Sequence, residues 1–154
     1  MRRLVPLGFL GTAAVLMLLQ TTAGCDTWFW RCSGAENLLF EHREALACAG
    51  WDDFVLDHAG RIEYREVIAL EGSEQHATGR AFCRSCRVEI ALLEPAGSVG
   101  AGVRRRSPVE IASVIVHEAA HLLDECANGE EPAEQAEAAF LRDYYERVTA
   151  GACP

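Results

Sequence analysis

The sequence predicts an α+β fold, and three observations carry that expectation. Two segments, Arg61–Leu70 and Ala81–Leu93, alternate apolar and polar residues as half-buried strands do. Three others, opening at Ser33, Ser107 and Pro132, repeat apolar residues every three to four positions, which is the helical period. The 154 residues suffice for one packed core and not for two.

The first 24 residues stand apart from that core. Arg2 and Arg3 precede an apolar run from Leu4 to Leu19, followed by small and polar residues to Gly24. This pattern reads as a secretory signal, too short and wrongly flanked to span a membrane, and leaves 25–154 as a single domain. Ala23-Gly24-Cys25-Asp26 resembles the bacterial lipobox, although Thr22 stands where an aliphatic residue is usual. The resemblance implies that Cys25 carries lipid. Cleavage after Ala23 is the competing reading. Seven cysteines are present, and an odd number in an exported chain leaves one thiol over. With Cys25 lipidated, Cys32, Cys48, Cys83, Cys86, Cys126 and Cys153 are free to form three disulfides, for which spacing alone leaves fifteen pairings open. The expected location is the cell envelope in preference to free secretion, with the membrane engaged only through the anchor at Cys25.

Formal net charge is −9. Beyond Cys25 the balance is 12 basic against 23 acidic residues, or −11. Phosphate-rich partners are repelled by such a chain, which argues against nucleic acid and against an anionic membrane surface. The longest run of like charge, Arg104-Arg105-Arg106, reads as a solvated loop.

Each element has its own signal. Trp28, Phe29 and Trp30 read as a packing anchor for the N-terminus. Ser33-x-x-Glu36 is a capping box that would start the first helix, with Leu38, Leu39, His42, Ala45, Leu46 and Ala49 on one face and Gly50 as its stop. His42 on that face reads as a core histidine and not as a ligand. The strand Arg61–Leu70 shifts register near Glu66 and turns at Glu71-Gly72-Ser73. The strand Ala81–Leu93 places Val88, Ile90 and Leu92 on one face, and the Gly-rich stretch Pro95–Val103 reads as a loop. Ser107-Pro108-Val109-Glu110 combines an N-cap, a proline at the first helical position and the capping-box glutamate. The helix it opens is expected to reach Asn128-Gly129, and the last helix to run from Pro132 to about Thr149.

Within the second helix lies His117-Glu118-Ala119-Ala120-His121, or H-E-x-x-H. Residues four apart share a helix face, so two imidazoles can converge on one tetrahedral Zn²⁺. Glu118 is placed to take a proton from water activated at the open metal position. The helix around the motif is apolar, and buried histidines and a buried glutamate require partners. The competing structural reading is a helix whose histidines are merely hydrogen-bonded.

Ile115-Val116-His117-Glu118-Ala119-Ala120-His121-Leu122-Leu123 resembles the active-site helix of the zincin metallopeptidases. The resemblance covers some 25 to 35 residues. It implies a small zincin-like domain, Zn²⁺ as cofactor, His117 and His121 as ligands, Glu118 as general base, and a peptide or protein as substrate. The metzincin continuation is missing, because Asp124 and Ala127 stand where that branch has Gly and His. A gluzincin-like branch takes a Glu from the next helix. If the active helix runs six residues past His121, an antiparallel return reaches Glu137, which also lies mid-stripe among Ala133, Phe140, Leu141, Tyr144 and Val148. Glu137 is the preferred third ligand and Glu134 the alternative, with Glu130, Glu131 and Asp124 remaining. Asp124 could instead orient a histidine. The wider family implies a substrate-holding strand, for which Arg87–Leu93 is the candidate, and an oxyanion donor, for which Tyr144 and Tyr145 are candidates.

Cys83-Arg84-Ser85-Cys86 has no second C-x-x-C to complete a four-thiolate site, so its cysteines are expected to cross-link different segments. The functional expectation is a zinc-dependent metallopeptidase acting at the cell envelope or outside the cell. The alternatives are a non-catalytic zinc-binding protein and a disulfide-stapled envelope lipoprotein serving as a binding module. Oligomeric state is not legible in the sequence.

Overall fold

The fold is built around one helix that neighbours cover on nearly every side. In a computed structural model, residues 32–72, 76–95, 103–123 and 129–153 are described. The expectations for the signal, for Cys25 and the Trp28–Trp30 cluster, and for Asp124, Cys126 and Asn128 lie outside those residues. The central helix, α3, spans Pro108–Leu122. It packs against α1 (Phe40–Ala49), α2 (Asp52–His58), α4 (Glu130–Thr149), β4 (Gly79–Phe82) and β5 (Arg87–Ala91). Ile111, Ala112, Ile115, Val116 and Ala119 on α3 are 0–2 % exposed.

The start of α3 follows its sequence signal. Ser107 Oγ accepts the Glu110 N–H, and the Glu110 carboxylate accepts the Ser107 N–H at 2.7 Å. Arg104 clamps Glu110 from the side. Together these contacts lower the Glu110 carboxyl to about 2, the Arg104 bond contributing most and the Ser107 bonds next.

The main sheet has the order β1-β5-β4, with β1 (Arg61–Arg65) parallel to β5 and β4 antiparallel to it. Ile62, Val88 and Ile90 are fully buried. The alternate positions carry charge: Arg65 and Arg87 both donate to Glu89, which is 9 % exposed and needs such partners. Two small antiparallel pairs complete the β-structure, β2 (Ile68–Ala69) with β3 (His76–Ala77) and β6 (Leu93–Pro95) with β7 (Val103–Arg105). None of the helices among the described residues is long and apolar enough to cross a membrane.

An α+β domain is therefore what forms, with several elements placed differently from expectation. The Ser33–Glu36 box caps nothing: α1 begins at Phe40, and Leu39 precedes it without a side-chain cap. Instead Glu36 forms a parallel bridge to Arg61, and Gly34 and Ala35 donate to the carbonyls of Leu56 and Ala59. A disulfide between Cys32 and Cys86 holds this stretch beside the sheet, so it runs as a strand-like edge where a helix was expected. The short helix α2 was not anticipated. The expected single strand Arg61–Leu70 is two strands in different sheets, β1 and β2, parted near Glu66 where only a register shift was expected. Ala81–Leu93 is three pieces, β4, β5 and β6, with a 3-10 turn at Cys83–Ser85 between the first two. The Gly-rich stretch is flanked by β6 and β7, which pair with each other. Helix α3 ends at Leu122, well short of Asn128-Gly129.

A second disulfide joins Cys48 on α1 to Cys153 after α4. Cys83 is likewise disulfide-bonded, so the two cysteines of the C-x-x-C do serve different links. His42 is 1 % exposed and bonded through Nδ1 to the Tyr64 hydroxyl at 2.9 Å, in keeping with a core role.

The capping network carries a pH signature. Because the folded Glu110 pKa lies below the unfolded value of about 4.3, its stabilisation is complete above that value and lost as pH falls towards the folded one. Glu110→Ala should lower stability by about 1 kcal/mol at neutral pH, with the difference shrinking below pH 4 and vanishing near pH 2. Thermal melts of both proteins across that range check this, and a pH-independent difference would contradict it.

Candidate metal centre

Three elements converge on the motif: α3 supplies both histidines and Glu118, the first turn of α4 supplies Glu130, and β4 closes over Glu118. His117 and His121 sit one turn apart with side chains 17 % and 15 % exposed. Their Nε2 atoms approach to 3.2 Å. Glu130 Oε2 lies 3.2 Å from the first and 3.5 Å from the second. An ion with tetrahedral bonds of about 2.0–2.1 Å spaces its ligand atoms about 3.3–3.4 Å apart, close to all three edges of this triangle. One proton can bridge only one edge of it well. A cation meets all three lone pairs.

The third corner is thus Glu130, and not Glu137 or Glu134. Glu137 would be the third corner only if α3 continued six residues past His121. It stops one residue past, and α4 begins at Glu130, so the return meets the histidines with its first turn. Glu137, two turns further along, meets the opposite side of the His117 ring: its Oε2 is 3.1 Å from Nδ1 and its Oε1 is 3.0 Å from Ser113 Oγ. These bonds hold the Glu137 carboxyl below its usual range, His117 contributing most, while the Glu137 bond raises His117. Glu134 and Glu131 are exposed on α4 and belong to no cluster of metal-binding geometry among the described residues.

Glu118 is only 5 % exposed, and in the protein alone burial pushes its carboxyl up to about 7. It accepts a hydrogen bond from the backbone N–H of Ala81 on β4. Gly79, two residues earlier on that strand, makes the approach possible. A Cβ there would lie 2.5 Å from Glu118 Oε1, 2.7 Å from its Cγ and 2.7 Å from Val114 Cγ1. The strand begins at Gly79, two residues before the expected start at Ala81. An isolated glycine at a strand's start was the available signal for close backbone approach.

An open cleft of about 520 Å³ lies over the triangle, lined by His117, Glu118, His121 and Glu130 on one side and by residues 76–81 with Leu70 on the other. The strand beside it is β4, at the sheet's edge. Arg87–Leu93, the expected substrate strand, contains β5, which is paired on both sides and has no edge to offer. Tyr144 packs against Phe140 and Tyr145 against Tyr144, and neither lines the cleft. The chain matches no protein-family model, no curated protein and no solved structure.

Gly79→Ala should displace Glu118 or part β4 from α3, at a cost of roughly 1–3 kcal/mol. Chemical denaturation measures it. A variant as stable as the parent would show that the contact is not tight.

Proposed function

We propose that this protein is an exported, zinc-dependent peptidase. The observation that carries the reading is the triangle of His117 Nε2, His121 Nε2 and Glu130 Oε2, with edges of 3.2, 3.2 and 3.5 Å, beside a buried glutamate. Two imidazoles and a carboxylate with one side open to a cleft are the donor set of a catalytic zinc site. When bound, zinc supplies a Lewis acid and acidifies water.

The chain's own groups account for the rest. Glu118 is held by the Ala81 N–H with its carboxylate facing the cleft, where it takes a proton from attacking water and returns it to the leaving amine. A cation held by the neighbouring histidines would favour the charged, proton-accepting form of the Glu118 carboxyl, which burial alone disfavours. The free edge of β4 runs along the same cleft, so an extended peptide can add to the sheet there, its carbonyl brought to the histidines. His76 on β3 lines the facing wall as a further polar group. The disulfides fit an oxidising compartment outside the cytosol. Lipid at Cys25 would hold the domain at the envelope.

Purified protein should carry about one zinc per chain and cut an unfolded protein substrate, with activity lost to a chelator and restored by Zn²⁺. Glu118→Gln should retain the metal and lose about 10²–10⁴-fold in kcat. His117→Ala and His121→Ala should lose both metal and activity. Metal-free protein after growth with zinc would sink the reading, and bound zinc with no cleavage would leave a non-catalytic zinc protein. Fatty-acid labelling of the expressed chain, abolished by Cys25→Ser, tests the anchor; absence of label on the parent refutes it.

A further inference from the structure

Resting on the zinc reading for its purpose but not for its test, a second assignment follows from the far side of the His117 ring. We propose that Glu137 and Ser113 are positioning residues that fix the proton of neutral His117 on Nδ1, leaving the Nε2 lone pair directed at the triangle.

A neutral imidazole carries one proton, and only the nitrogen without it can bind a metal. Histidine on its own gives no assurance that this nitrogen is the right one. Carboxylates face both ring nitrogens, Glu137 Oε2 at 3.1 Å from Nδ1 and Glu130 Oε2 at 3.2 Å from Nε2. Glu130 is 73 % exposed and solvated, whereas Glu137 is 32 % exposed and held in place, so the ring N–H goes to Glu137 and the Nδ1–H tautomer is selected. The carboxylate is itself fixed. Its other oxygen receives the Ser113 hydroxyl at 3.0 Å, and Ser113 lies one turn before His117 on the same helix. The Glu110 carbonyl, 3.0 Å from the same hydroxyl, shares its single proton and keeps the side chain against the helix. The chain Ser113–Glu137–His117 therefore starts and ends on α3 and passes through α4.

The spacing on α4 makes the arrangement directional. Glu130 and Glu137 are seven residues apart, two turns along one face. One meets His117 at Nε2 and the other at Nδ1, so a single helix face grips both nitrogens of one ring. His121 has no comparable hold, since among the described residues no hydrogen bond reaches its Nδ1. Both residues of the relay lie off the cleft lining. An exposed salt bridge of no consequence is the plain alternative. It does not explain why a serine buried to 4 % exposure also turns to the same carboxylate.

The test begins with metal-free protein in alkaline buffer, using nitrogen–proton correlation NMR of the histidine rings. The parent should show His117 protonated on Nδ1. Glu137→Ala should shift it towards the Nε2–H form, and Ser113→Ala should shift it part of the way. Glu137→Gln keeps the shape without the charge and should give a smaller shift of the same sign, which serves if the alanine variant does not fold. An Nε2–H ring in the parent overturns the proposal whether or not the protein binds zinc. A protein that shows the Nδ1–H ring and yet takes up no zinc leaves this assignment standing and removes the peptidase reading. Zinc affinity by chelator competition adds a second readout: Glu137→Ala should weaken it about 10–100-fold while the cobalt-substituted spectrum stays that of the same coordination. A changed cobalt spectrum, with affinity indifferent to Glu130→Ala, would make Glu137 a direct ligand and refute the positioning role.

Discussion

The structure depends on one constraint: α3 is buried along nearly its whole length, yet it carries Ser113, His117, Glu118 and His121. Burying an aliphatic side chain stabilises by about 1.5–3 kcal/mol, and stranding a polar group in the same place costs about 1–3 kcal/mol. The helix is an asset only if each polar group finds a partner. Each finds one on a neighbouring element. Ser113 and one face of His117 turn to Glu137. Glu118 turns to the backbone of β4. The Nε2 atoms of His117 and His121 turn to each other and to Glu130.

This distribution explains why the neighbours of α3 look as they do. β4 must come close enough for a backbone N–H to reach a carboxylate, so it has no side chain at Gly79. α4 must present carboxylates two turns apart on the side facing α3 while keeping Ala133 and Phe140 for the core. Its far end is anchored by the Cys48–Cys153 link and by the Trp51 indole, which donates to Asp143 at 2.9 Å. The site thus lies between elements that are fixed elsewhere, which is the condition for holding donor atoms in place before a ligand arrives.

Much of this was legible in the sequence, and the division has a physical basis. The cap at Ser107–Glu110 is local chemistry: the residues that make it are three apart, and nothing distant competes. The same signal at Ser33–Glu36 failed because Cys32 is tied to Cys86, 54 positions away, and the stretch is drawn into the sheet. The H-E-x-x-H spacing brought His117 and His121 together because i, i+4 geometry is intrinsic to a helix. The third corner depended on where α3 stops, and no glycine or proline marks Leu122 as the end. Helical period placed Glu137 correctly toward α3 but could not say which nitrogen it would meet. Strand pairing was the least legible, since alternation shows which face is buried and not which neighbour lies alongside. β5, apolar on one face and charged on the other, carries nothing in its pattern that marks it as the centre of the sheet.

The link between Cys48 and Cys153 has an outcome for the working life of the molecule. It closes a covalent ring, 105 positions around, that encloses the sheet, the cleft, α3 and all of α4. Where proteases reach it, a single backbone nick anywhere in that ring yields two pieces that remain attached. Such a chain migrates as one species until it is reduced, so damage is hidden from a non-reducing gel and the segments bearing the histidines and Glu130 are not shed.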